Sequence, residues 1–200
     1  MIKAVIFDWG GVVIDSPAEA LFQYCADHLN APKKEFKKTY MKYEPDIFRG
    51  VLSEKQTWEK ICQELGVKEP TVGSLWYDAV KNAVKEKKEV TLLINNLKKS
   101  GYKVGFLSNT EIPATRFFKK QDYPVFDAYV FSCFEGIIKP ERKIYELALN
   151  RLGVKPEESI FIDDREENVE GAKRVGMHAI VFKDIEQLKK ELESFSVKTE

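Results

Sequence analysis

The sequence predicts an α/β fold: a three-layer core in which a parallel sheet lies between helices, with an α-helical bundle inserted after the first strand. Two observations lead there. Four short apolar runs, residues 4–7, 104–107, 160–162 and 179–182, have strand length, and at least three are followed by segments of helical periodicity, the pattern of a sheet buried on both faces. The stretch 16–86 carries helical patterning and no convincing strand, and it is too long for a plain crossover.

The first strand, Ala4 to Phe7, is uniformly apolar and stops at Asp8. Within the inserted stretch, Trp58, Ile61, Cys62 and Leu65 share one helical face, opened by a capping box of Ser53 and Gln56 and closed by Gly66; Trp76, Ala79, Val80 and Ala83 form another. Val90, Leu93, Ile94 and Leu97 repeat at helical spacing until Gly101 stops them, and the strand 104–107 comes next. A further strand is expected over 128–131. Ile144, Leu147, Ala148 and Leu152 mark the next helix, with Pro140 near its start and Gly153 at its end. Between the strands 160–162 and 179–182, Val169, Ala172 and Val175 make a stripe that Gly176 closes. The charge run 85–89 and the tail after Glu186 read as solvated helix faces. The expected division is a core of residues 1–15 and 87–200 with a helical unit of residues 16–86.

The 200 residues suffice for one good-sized core plus a small accessory unit. Lys plus Arg and Asp plus Glu balance at 32 each, so no broad positive field exists to hold nucleic acid or an anionic membrane, and the expected partner is a small molecule. Cys25, Cys62 and Cys133 lack paired spacing, and no signal-peptide pattern precedes the first strand, so a reducing cytoplasmic setting is expected. No apolar run approaches the roughly 18 to 20 residues that span a bilayer. His28 and His178 have no partner at ligand spacing and read as structural.

The chemistry lies in the residues that end each apolar run. The first ends in Asp8, the second in Ser108 and Asn109, the third in Asp163 and Asp164. In an open parallel sheet the carboxyl ends of the strands share one edge, where ligands bind. Carboxylates gathered there repel one another unless a cation or proton intervenes, and oxygen ligands without His or Cys favour a hard cation such as Mg²⁺. Lys139, just before a helix, would bring a positive charge to the same edge. Metal, lysine, hydroxyl and an attacking carboxylate together suit a phosphoryl group.

The segments "FDWGGVV", "LSNT", "GIIKPERKIY" and "FIDDREENVEGAKRVG" resemble, in order, the four motifs of the haloacid dehalogenase superfamily, and the helical insertion resembles its cap. The resemblance spans essentially the whole chain. It implies a Rossmann-like core and a Mg²⁺-dependent phosphatase acting on a small phosphorylated metabolite. Carried over by position, it implies Asp8 as nucleophile and metal ligand and Ser108 as a phosphoryl-binding hydroxyl. Asn109 would position the group, Lys139 would steady the charge, and Asp164 would bind the metal directly. Asp163 would act through a water, the backbone carbonyl of Gly10 would serve the metal, and Asn168 stands where many members have another acid.

Gly10 is the departure. Most phosphatases of the superfamily carry at that position an Asp that protonates the departing oxygen and then activates water, a contribution of roughly 10²- to 10⁴-fold. Members resembling sugar-phosphate phosphatases do have an Asp-x-Gly first motif, and sugar phosphates or similar monoesters are the expected substrates. Two other readings stay open: a dehalogenase, whose halide leaves without a proton, and a catalytically silent relative that binds a phosphorylated ligand or partner. The acid pair at 163 and 164 favours phosphoryl transfer, because a dehalogenase needs no metal. Gly10 and Gly11 are both expected at unusual backbone angles. Asp15 is considered as a replacement acid. Arg49 is a candidate for the substrate phosphate or sugar, and Trp9 for the pocket wall or the core.

Overall fold

The computed structural model describes residues 1–199; Glu200, the last residue of the expected core, lies outside them. Five strands, β1 (Ala4–Phe7), β2 (Lys103–Ser108), β3 (Ala128–Phe131), β4 (Ser159–Asp163) and β5 (His178–Val181), form one parallel sheet in the order β3-β2-β1-β4-β5. All five coincide with predicted runs. β2 and β4 extend a residue beyond their apolar runs at each end because ladder pairing continues onto polar residues: Lys103 and Ser159 both pair with Ala4, Ser108 with Phe131 and Asp163 with Val181. β5 begins and ends one residue earlier than its hydrophobic run.

Side-chain alternation makes the sheet two-faced. Val5 and Phe7 of β1 join one apolar cluster while Ala4 and Ile6 join the other; β4 divides Ile160 and Ile162 from Phe161 in the same way. Each such fully buried side chain contributes roughly 1.5–3 kcal/mol.

Five helices separate β1 from β2, and the first four form the insertion: α1 (Ala18–Leu29), α2 (Lys33–Phe48), α3 (Glu54–Leu65) and α4 (Leu75–Ala83). Then come α5 (Lys88–Lys99), α6 (Ile112–Phe118), α7 (Ser132–Glu135), α8 (Arg142–Leu152), α9 (Glu166–Val175) and α10 (Ile185–Ser194). α5, α6 and α10 cover the Val5/Phe7 face; α8 and α9 cover the other. The predicted stops are real: Gly66, Gly153 and Gly176 cap α3, α8 and α9 in the left-handed conformation, and the Ser53–Gln56 capping box opens α3.

The insertion has its own aromatic centre. Tyr40 stacks on Trp76 with ring centroids 4.8 Å apart, and Phe22, Phe36 and Trp58 pack around them. Its two chain ends meet in a neck: Asp15 donates its N–H to Lys85 O, Lys87 donates to Val13 O, and Ile14 bridges Glu86 in antiparallel fashion. Residues 85–87 therefore belong to this neck and not to a helix face, because their backbone groups are used in cross-chain pairing. The three cysteines are buried and unpaired, and no helix among the described residues is long and apolar enough to cross a membrane.

Candidate active site

The order β3-β2-β1-β4-β5 reverses at β1, which opens a crevice at the carboxyl ends of the central strands. Asp8 emerges there, its N–H held by Ile162 O at 2.9 Å; Ser108 and Asp163 close β2 and β4, and Asp164 comes directly after. A cavity of about 360 Å³ lies between this edge and the insertion, floored by Asp8, Ser108, Asn109, Lys139, Asp164 and Asn168.

Lys139 organises the charges. Its Nζ lies 2.6 Å from Asp163 Oδ2 and 2.8 Å from Asp8 Oδ1, and it also donates to Leu107 O. Asp8 Oδ1 is buried, and the Lys139 ammonium is the charge beside it. Burial pushes the Asp8 carboxyl up to about 7; Lys139 opposes the rise and Asp163 adds to it. Burial alone would lower Lys139, but Asp163 and Asp8 together lift it above the ordinary lysine value. Asp164 is raised too, by burial and then by Asp163.

The carboxylates of Asp8, Asp163 and Asp164 each place an oxygen within 4.8 Å of the others. The donor set is all oxygen, Asn168 Oδ1 beside it is buried without a partner, and all three acids surround one point. These features fit a small hard divalent cation. Gly11 makes room for Asp164: its φ is +83°, and a Cβ there would stand 2.1 Å from Asp164 Oδ2. Gly10 does not share the unusual angle. Its φ is not positive, and a Cβ would meet only Pro17 Cδ, at 3.6 Å, because the turn bends at the next residue.

Residues 2–176 match the profile of the haloacid dehalogenase-like hydrolases. The chain belongs to that hydrolase family. It is 26% identical over 184 residues to the sesquiterpene phosphatase of Aspergillus oryzae, covering 91% of this chain and 90% of that protein. It is 29% identical over 202 residues to mouse acyl-CoA dehydrogenase family member 10, covering 96% of this chain but spanning only 19% of that relative. Among solved structures, a HAD family enzyme from Bacteroides thetaiotaomicron, in complex with magnesium and inorganic phosphate, superposes with a TM-score of 0.74 at 22% identity, covering 94% and 99% of the two chains.

In this member of the family, several predicted site residues have duties other than those expected. Asn109 clamps the backbone of Lys139, donating to its carbonyl at 3.0 Å and accepting from its N–H at 2.8 Å, while the residue itself lines the cavity. Asp163 does not line the cavity: its oxygens accept from Lys139, from Asn168 Nδ2 and from the Arg165 N–H. Ser108, buried at the cavity floor, makes only a 3.5 Å contact to its neighbour's carbonyl and keeps its hydroxyl available. Trp9 does both things expected of it, lining the cavity while packing against Phe117, Phe118 and Tyr123.

Arg49 is a correction. Its Nη2 pairs with Glu141 Oε1 at 2.5 Å and the residue is absent from the cavity wall, because the end of α2 docks on the segment after Lys139. Asp15 is likewise committed, to Lys87 in the exposed neck, and does not reach the cavity. Two acids that do reach it were not anticipated. Glu111 accepts from Tyr40 Oη at 2.7 Å, and burial raises its carboxyl despite that bond; Glu44 on α2 is raised by burial, with Arg165 partly offsetting. The signal for Glu44 was present, since Phe36, Tyr40, Glu44 and Phe48 recur every four residues on one helical face.

Proposed function

We propose that the chain is a Mg²⁺-dependent phosphatase of small phosphorylated metabolites, with residues 16–86 acting as a cap over a core of residues 1–15 and 87–200. The observation that carries this reading is Asp8: a buried carboxylate at the cavity floor, 2.8 Å from the Lys139 ammonium and grouped with the acid of Asp164. A dehalogenase attacks a carbon and has no use for a concentrated negative charge beside its nucleophile, whereas phosphoryl transfer with a metal does. The similarity to the Aspergillus phosphatase, and to a Bacteroides enzyme in complex with magnesium and phosphate, supports the same choice.

Asp8 and Asp164, with the Gly10 carbonyl, would hold the ion, which when bound neutralises phosphoryl charge. Asp8 attacks phosphorus and the ester P–O bond breaks; Lys139 and the Ser108 hydroxyl share the charge growing on the phosphoryl oxygens. The departing alkoxide takes its proton from water. A second water then cleaves the bond between phosphorus and Asp8, releasing phosphate and restoring the carboxylate. Asn109 and Asp163 act as positioning residues for Lys139.

The test is phosphate release from a metabolite panel with and without Mg²⁺. Asp8→Asn should lower release by at least about 10³-fold with folding intact. Equal activity of the variant, or full activity in chelator, would overturn the reading.

A further inference from the structure

The sheet side of the cavity is built for a phosphoryl group; the insertion side is built for something else. Its wall is mostly apolar, with Leu21, Phe22, Phe48 and Val80 beside the rings of Tyr40 and Trp76, and Ser16 sits at its neck end. Among the described residues, no Lys, Arg, His, Asn or Gln of the four inserted helices lines the cavity, and the two cations that do, Lys139 and Arg165, come from the sheet side. The Tyr40 hydroxyl is already spent on Glu111. The inserted helices thus offer an incoming alcohol two uncommitted polar groups, the indole N–H of Trp76 and the carboxyl of Glu44, against a wall that is otherwise apolar.

We propose that the alcohol half of the substrate is apolar, an alkyl or aryl group carrying no second anion, and that Phe22, Phe48 and Val80 determine this specificity. The proposal deepens the phosphatase reading and rests on it for the phosphoryl end. A polyol would surrender water to a wall with only the Trp76 N–H and the Glu44 carboxyl to meet its several hydroxyls, and each hydroxyl left unpaired costs roughly 5- to 150-fold in binding. A second phosphate or carboxylate would face Glu44 and Glu111, whose burial already makes their own charge unfavourable. An apolar chain loses nothing on entering and gains about fourfold per buried methylene.

The experiment uses the full chain and two probe series. With Mg²⁺, kcat/KM is measured for methyl, butyl and hexyl phosphate, glucose 6-phosphate and phosphocholine, with acetyl phosphate as a substrate whose leaving group barely reaches the wall. Without turnover, calorimetry compares methyl- and hexylphosphonate. The expected result is a rise of about fourfold per methylene in both series until the cavity fills, with butyl phosphate at least about tenfold better than glucose 6-phosphate, and a shallower rise in Phe48→Ala. Hydrolysis of acetyl phosphate with no chain-length dependence would overturn the proposal and leave the phosphatase reading standing. A chain-length dependence in phosphonate binding with no turnover of any ester would sustain the apolar site and remove the phosphatase. A preference for phosphocholine over hexyl phosphate would overturn the proposal in favour of a cationic alcohol held by Glu44.

Discussion

Asp8 carries a charge that its surroundings make expensive. Burial holds its carboxyl near 7 against an ordinary value of 3.8, so between those values the folded protein keeps a proton that the unfolded chain has lost. Because the folded state binds more protons in this window, in metal-free protein this group removes stability as pH rises from about 4 to about 7, and the loss levels off above that. Chemical denaturation at several pH values should show Asp8→Asn gaining on the wild type across that window; a gap independent of pH would contradict the assignment. Two residues on, Gly10 has space and an ordinary backbone. Gly10→Asp is therefore expected to fold and to speed hydrolysis of the acyl phosphate, by up to the roughly 10²-fold that a modest general acid–base supplies. In the wild type, acid quenching during turnover of a ³²P-labelled ester should trap label on Asp8. No label during active turnover would exclude the covalent route.

At the scale of elements, the sheet was legible because buried parallel strands are short and wholly apolar, and because each central strand meets a polar or acidic residue where its hydrophobicity stops. What the apolar pattern missed was the ladder's persistence through Lys103, Ser159 and Asp163, which backbone pairing decides without regard to side chain. Ser53 and Gln56 announced the start of α3 by chemistry that is local to four residues. Ser53→Ala should cost about 1 kcal/mol, read as a lower denaturation midpoint with unchanged slope. Arg49 shows the opposite case. Its position in sequence said nothing about Glu141, 92 residues away, because the docking of α2 on that segment is a tertiary event. Glu111 was hidden for the same reason, since its partner Tyr40 lies 71 residues earlier.

At the scale of the molecule, topology located the floor of the site from sequence but not the division of labour within it. Asp8, Ser108, Lys139 and Asp164 converge as expected, whereas Asn109 and Asp163 turn inward to hold Lys139. Such roles depend on which oxygen faces which nitrogen, a matter of ångströms that spacing along a chain does not encode. The tie between Arg49 and Glu141 joins insertion to core at the surface, where an ion pair contributes about 0–1 kcal/mol. Arg49→Ala should shift stability by no more than that and leave KM within about twofold; a tenfold rise in KM would return Arg49 to the substrate. The neck has a broader consequence. Because the chain departs at Asp15 and returns at Lys87 as adjacent, hydrogen-bonded segments, the intervening helices are joined covalently to the core at one place and otherwise touch it only through packing and side-chain ties. Their length and composition are free to diverge without disturbing the register of any sheet strand, so the roof of the cavity can change while the cluster of acids and Lys139 on its floor stays untouched.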